Sequence, residues 1–260
     1  MKKLALLFSI IILYSCSEFG EKTKYVTVKS QEEIITIKEL DFPKIPDLII
    51  SDSIAILLAT SYSSGEIKLN IDSMNWIGLF SNEDDSDFTC YKTKLKTKKV
   101  LDQMVDQYGK KTGTLVYCEN FDSKPILLIA GIETAEAIHI DSYLEFQNEL
   151  LPGESMQLGS STITASGIID DRGFLIDYKL AITGEKNGMN IEHVFIEQNE
   201  FADDMLRFIW AGDIDKDGIP DLYMDISPKY SYSKLALFLS SKAGKNELLK
   251  KVAEINIYGC

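Results

Sequence analysis

Short apolar runs separated by polar breakers recur along most of the chain. From Ile34 onward they occupy residues 34–37, 48–59, 67–71, 76–80, 114–118 and 125–131. They resume at 155–158, 161–166, 174–182, 190–198, 206–212, 222–226, 235–240 and 252–258. Each run is short and rich in β-branched and aromatic residues, which is the signature of a strand. Turn-forming clusters lie between them, at Ser63-Ser64-Gly65, at residues 82–87 and at residues 120–124. The runs at 174–182 and 190–198 flank Thr183-Gly184-Glu185-Lys186-Asn187-Gly188 and predict a hairpin. Tyr25-Val26-Thr27-Val28 adds a candidate edge strand. One stretch has helical period instead: Val100, Leu101, Met104, Val105 and Tyr108 form a stripe that Gly109 caps. A weaker helical candidate spans residues 242–250. The pattern predicts a mainly β protein, a sandwich or partly open barrel with one or two short helices. Residues 34–260 form the β-rich domain, and Leu151-Pro152-Gly153-Glu154 is the best place for a boundary within it.

The first residues follow another logic. Met1-Lys2-Lys3 is basic, and residues 4–14 are apolar except for Ser9. A run of that length is too short for a bilayer, which takes about 20 residues, but suits the core of a signal peptide over residues 1–15. It ends in Leu13-Tyr14-Ser15-Cys16, which resembles a bacterial lipobox, with Tyr14 in place of the usual small residue. The resemblance implies cleavage before Cys16, lipidation of its thiol with palmitate among the acyl chains, and membrane anchoring at the cell envelope. Ser17 stands where an inner-membrane retention signal has Asp, so the resemblance favours the outer membrane. Residues 16–33 are polar and read as a tether.

Charge and cysteines narrow the partners. The 260 residues carry 27 Lys and Arg against 40 Asp and Glu, a net charge of −13, and loss of residues 1–15 removes two of the lysines. An acidic chain is a poor ligand for nucleic acid, which needs cationic contacts to phosphate. Besides Cys16 there are Cys90, Cys118 and Cys260. Export permits disulfides. Cys90 with Cys118 is the first expectation, and Cys118 with Cys260 stays open.

The chemistry concentrates at residues 213–221, Asp-Ile-Asp-Lys-Asp-Gly-Ile-Pro-Asp. Carboxylates at alternate positions of a tight loop supply the oxygens that a hard cation such as Ca2+ requires, and Gly218 permits the sharp turn. An EF-hand would need Glu at position 12 of such a loop, where this chain has Met224, and both flanks read as strands. The D-x-D-x-D-G-x-x-D-L pattern between strands resembles the calcium loop of FG-GAP and VCBS repeats. That resemblance implies Ca2+ ligation by Asp213, Asp215, Asp217, Asp221 and the carbonyl of Ile219. A propeller needs the motif to recur at each blade, and the sequence has one copy. Leu237-Phe238-Leu239-Ser240-Ser241 and the final Gly259-Cys260 resemble bacterial proteins that end in the same way, which implies a family without an activity.

Catalytic constellations are sparse. His139 and His193 each lie in an apolar strand-like run and read as ordinary strand residues. No nucleophile elbow, zinc-protease motif or phosphate loop occurs. Asp170-Asp171 reads as a turn, and Asp84, Asp85 and Asp87 as a solvated loop with a weaker claim to a second cation. Tyr230 and Tyr232 read as surface tyrosines that could stack a sugar or peptide. The expected function is a calcium-stabilised, envelope-anchored β-rich lipoprotein, a non-enzymatic binding or scaffolding module for a protein or glycan. The alternative is an envelope hydrolase acting on glycans through acids the sequence does not single out.

Overall fold

The computed structural model describes residues 26–29, 34–37, 49–50, 54–67, 71–81, 87–102, 105–107, 109–119, 121, 123–133, 137–144, 149–201, 206–229 and 232–258. Cys16, the lipobox, Asp84, Asp85, Tyr230 and Cys260 lie outside them. The chain forms two compact units, Met1–Ile45 and Pro46–Cys260. The first contains a hairpin of β1 (Val26–Lys29) and β2 (Ile34–Ile37).

The second unit is built from antiparallel sheets, none of which closes into a barrel. A five-stranded sheet has the order β11-β7-β6-β10-β4, with β4 Ala55–Leu57, β6 Trp76–Ser81, β7 Asp87–Thr93, β10 Leu127–Ala130 and β11 Ala137–Asp141. A three-stranded sheet runs β5-β9-β8, with β5 Ser61–Tyr62, β8 Leu95–Val100 and β9 Gly113–Cys118. A four-stranded meander follows, β12 Ser155–Leu158, β13 Ser161–Ile169, β14 Leu175–Lys186 and β15 Met189–Phe201. The last sheet has the order β16-β17-β18-β19-β3, with β3 Ile49–Ile50, β16 Arg207–Gly212, β17 Asp221–Asp225, β18 Tyr232–Leu239 and β19 Lys250–Tyr258.

This last sheet is the middle layer. Trp210, Tyr223, Leu235, Leu237 and Leu239 on one face share a core with Ile56, Leu79 and Ile129 of the first five-stranded sheet. Phe208, Leu222, Met224, Ala236 and Phe238 on the other face share a core with Ile163, Leu180 and Ile182 of the meander. Successive strand residues point to opposite faces, so a strand covered on both sides must be apolar at every position. That is why Leu235-Ala236-Leu237-Phe238-Leu239 reads as an unbroken apolar run, whereas β13 alternates buried and open positions.

Three expectations change. Val100 ends β8, and no helix forms among the described residues of 101–109. Leu101 and Val105 are exposed. The segment folds around a carboxylate instead: Asp106 accepts hydrogen bonds from the amides of Asp102 and Thr112, at 2.8 and 2.7 Å, and from the Thr112 hydroxyl at 2.8 Å. Residues 242–249 are turns rather than helix, held by the Gly244 amide on Glu247 and by the Lys186 ammonium on the carbonyls of Ser240, Ala243 and Glu247. The one helical piece described is a 3-10 turn at Ile71–Ser73. Third, Cys90 and Cys118 are free thiols. They lie on β7 and β9, strands of different sheets, opposite Leu79 and Leu95 respectively. Burial pushes the Cys90 thiol up to about 12, which makes it inert as a nucleophile.

Candidate metal centre

The 213–221 loop joins β16 to β17 and is therefore rooted in the doubly covered middle layer. Lys216 and Gly218 both have positive φ, 61° and 84°, so the chain turns back within the loop. Aspartates fasten that turn by accepting backbone hydrogen bonds, the usual reason for this residue in tight loops. Asp213 accepts from the amides of Asp217 and Gly218, at 3.1 and 2.9 Å. Asp217 accepts from the Ile219 amide at 2.9 Å. Asp221 is fully buried and accepts from the Ile214 amide at 2.9 Å and from the Ser240 amide at 2.8 Å.

Ser240 follows β18 directly. Its hydroxyl lies 3.0 Å from each carboxylate oxygen of Asp217 and 3.1 Å from Asp221, so it ties the loop to the end of the neighbouring strand. Sequence reasoning noted the Leu-Phe-Leu-Ser-Ser run but gave Ser240 no part in the loop. The signal was there only in the pairing of β17 with β18, Leu222 opposite Phe238.

One oxygen each from Asp213, Asp215 and Asp221 fall within 4.8 Å of one another. Asp217 is not among them; its carboxylate accepts from the Ser240 hydroxyl and the Ile219 amide. Ile219 stands in the same loop with its side chain in the core shared with the meander. Both oxygens of Asp215 are buried without a hydrogen-bond partner. The Ser241 hydroxyl and the Asp217 backbone are near enough to temper its charge but do not reach bonding geometry. Burial raises the Asp215 carboxyl above its ordinary range, and Asp217 and Asp213 add to the rise. Burial also pushes Asp221 well up, with Asp215 adding to it. Two like charges at this spacing repel by about 3 kcal/mol at an effective dielectric of 20. An all-oxygen donor set of this density suits a hard divalent cation, which would turn the repulsion into attraction.

Comparison with known proteins adds nothing to this geometry. No family model, curated protein or solved structure matches the chain.

The remaining candidates sort by position. Asp170 caps a turn, accepting from the amides of Arg172 and Phe174 at 2.9 Å each. Tyr232 opens β18 opposite Tyr258. His193 is half-buried on β15 opposite Ile182, and burial lowers its pKa. His139, on the edge strand β11, sits beside Asp87 and Asp141, a grouping the sequence reading missed. A groove of about 1040 Å³ opens beside β6, β7 and β8, lined by Ile71, Trp76, Lys92, Lys94, Lys96 and Glu133 among others. Glu133 is the one carboxylate among the described residues that line it.

Proposed function

We propose that this chain is a lipid-anchored envelope protein whose 213–221 loop binds one Ca2+, and that it acts as a binding or scaffolding module. The observation that carries the calcium reading is the convergence of Asp213, Asp215 and Asp221, with the buried oxygens of Asp215 making no hydrogen bond of full geometry. A buried polar group without a partner costs about 1–3 kcal/mol, more when charged, and an ion supplies the missing contact. In this reading Asp213, Asp215 and Asp221 ligate directly. Asp217 either turns from Ser240 to the ion or holds Ser240 in place, and the Ile219 carbonyl completes the set. The cation would fix the β16–β17 turn to β18 and is structural, since its ligands come from one closed loop. The envelope reading rests on Leu13-Tyr14-Ser15-Cys16. The non-enzymatic reading rests on the single calcium-type loop and on the sparse nucleophile and base motifs of the sequence.

Calorimetry on the purified protein tests the metal. Calcium titration is expected to give a saturable heat and to raise the melting temperature. Binding to the folded state alone stabilises by about 2.7 kcal/mol at a hundredfold excess over Kd. Asp215→Ala is expected to abolish most of that rise. No heat and no stabilisation at millimolar calcium would reduce these acids to a solvated turn.

A further inference from the structure

We propose that Asp87, His139 and Asp141 form a second metal site, for a borderline transition-metal dication of the Zn2+ class, on the open edge of the first five-stranded sheet. Two exposed carboxylates alone would carry no such inference. The imidazole nitrogen set between them does.

The strand register assembles the group. In the antiparallel pair β7–β11, Asp141 is directly opposite Asp87, and His139 is opposite Thr89. His139 and Asp141 are two residues apart on one strand and so share a face of the sheet. Asp87 joins that face because directly opposed residues project to the same side, with Cβ atoms about 4.5–5.5 Å apart. Three donors thus converge from two hydrogen-bonded strands without any loop to position them.

The spacing matches an ion. His139 Nε2 lies 3.4 Å from Asp141 Oδ1 and 3.9 Å from Asp87 Oδ1. One donor atom from each of the three residues falls within 4.8 Å of the others. Ligands about 2.0–2.1 Å from a tetrahedral ion stand about 3.4 Å apart, so small side-chain rotations close the site.

The donor chemistry separates this site from the aspartate loop. An imidazole nitrogen with two carboxylate oxygens is a mixed set that suits Zn2+ and its neighbours, whereas Ca2+ takes oxygen alone. The two carboxylates neutralise the dication. Three protein ligands leave coordination positions open, as in zinc sites that admit water or an outside donor. Those positions face solvent: β11 is the last strand of its sheet, and the side chains of Asp87, His139 and Asp141 are 47, 61 and 80 % exposed. The simpler arrangement, an imidazole paired with two carboxylates, needs no metal and makes the opposite prediction.

The experiment is a titration of the whole purified protein with ZnCl2 at neutral pH in saturating calcium, which keeps the aspartate loop filled. Wild type is expected to take up one Zn2+ at micromolar concentration. His139→Ala and Asp141→Ala are each expected to weaken that binding at least tenfold while leaving the calcium titration unchanged. Asp215→Ala is expected to do the reverse, so failure of one site is distinguishable from failure of the other. Co2+ in place of Zn2+ should give a visible d–d absorption that His139→Ala removes. Absence of zinc uptake by wild type, or zinc affinity unchanged in His139→Ala, would overturn the proposal and leave an ion pair in its place.

Discussion

Glu254 is almost closed off from solvent in the middle of β19, yet it remains a charged residue. Burial by itself would raise its pKa. Lys251 and Lys234, with ammonium nitrogens 2.6 and 3.3 Å from its carboxylate, outweigh that and hold the group below its ordinary value. Because the folded pKa is depressed, the stabilisation is present above the unfolded carboxylate pKa and disappears as pH falls through the folded one. Glu254→Gln is expected to cost about 1–2 kcal/mol at pH 7, kept moderate because both lysines can return to water. The difference from wild type should shrink on acidification below the ordinary carboxylate range, where the native glutamate protonates too. Urea midpoints at the two pH values check both halves. Single residues were legible in the sequence where their partners are local. Asp213, Asp215 and Asp221 announce themselves because nine consecutive positions bring them together. Ser240 and the Asp87–His139–Asp141 group do not, because strand register assembles them and register is a property of the folded sheet.

Turn chemistry sets the limits of the elements. The hairpin expected at 174–198 forms, but its strands run on to Lys186 and resume at Met189, leaving Asn187-Gly188 as the turn. Both turn residues have positive φ, 55° and 75°, the requirement of the tight two-residue turn that matches strand twist. A Cβ at Gly188 would meet nothing within 4 Å, so Gly188→Ala isolates the backbone cost. A loss of about 1 kcal/mol is expected by thermal or urea denaturation. Thr183-Gly184 reads as a breaker only until its surroundings are known. At Gly184 a Cβ would sit 2.5 Å from the Ser161 hydroxyl oxygen, so the glycine serves close packing against β13 rather than a bend. The stripe from Val100 to Tyr108 misleads for the converse reason. Its spacing satisfies a helix, but Asp106 offers the backbone a competing set of acceptors, and the core is already filled by strands.

At the scale of the whole molecule, three sheet layers explain why so many strand runs were readable. The unbroken apolar run of β18 and the alternation of β13 follow from one burial rule, and β6 and β10 of the first five-stranded sheet are buried almost throughout as well. The order of the layers was not readable, since an unbroken apolar run marks a strand as covered twice without saying which sheets cover it. On the proposed anchoring, Cys16→Ala should move the protein from the membrane to the soluble fraction and remove palmitate labelling. Labelling unchanged by that substitution would sink the anchor. The edge of the middle layer carries a further consequence. β3, at Ile49–Ile50, has β19 as its partner through Ala253 and Glu254, roughly 200 residues away along the chain. Contacts that span such a separation must be found before loop-closure entropy is repaid, which slows folding to milliseconds or longer. A chain ending at residue 249 lacks β19, and it is expected to show no native near-ultraviolet circular dichroism. The edge formed by β3 therefore cannot pair until β19 has been synthesised, so the middle layer is completed only late in translation.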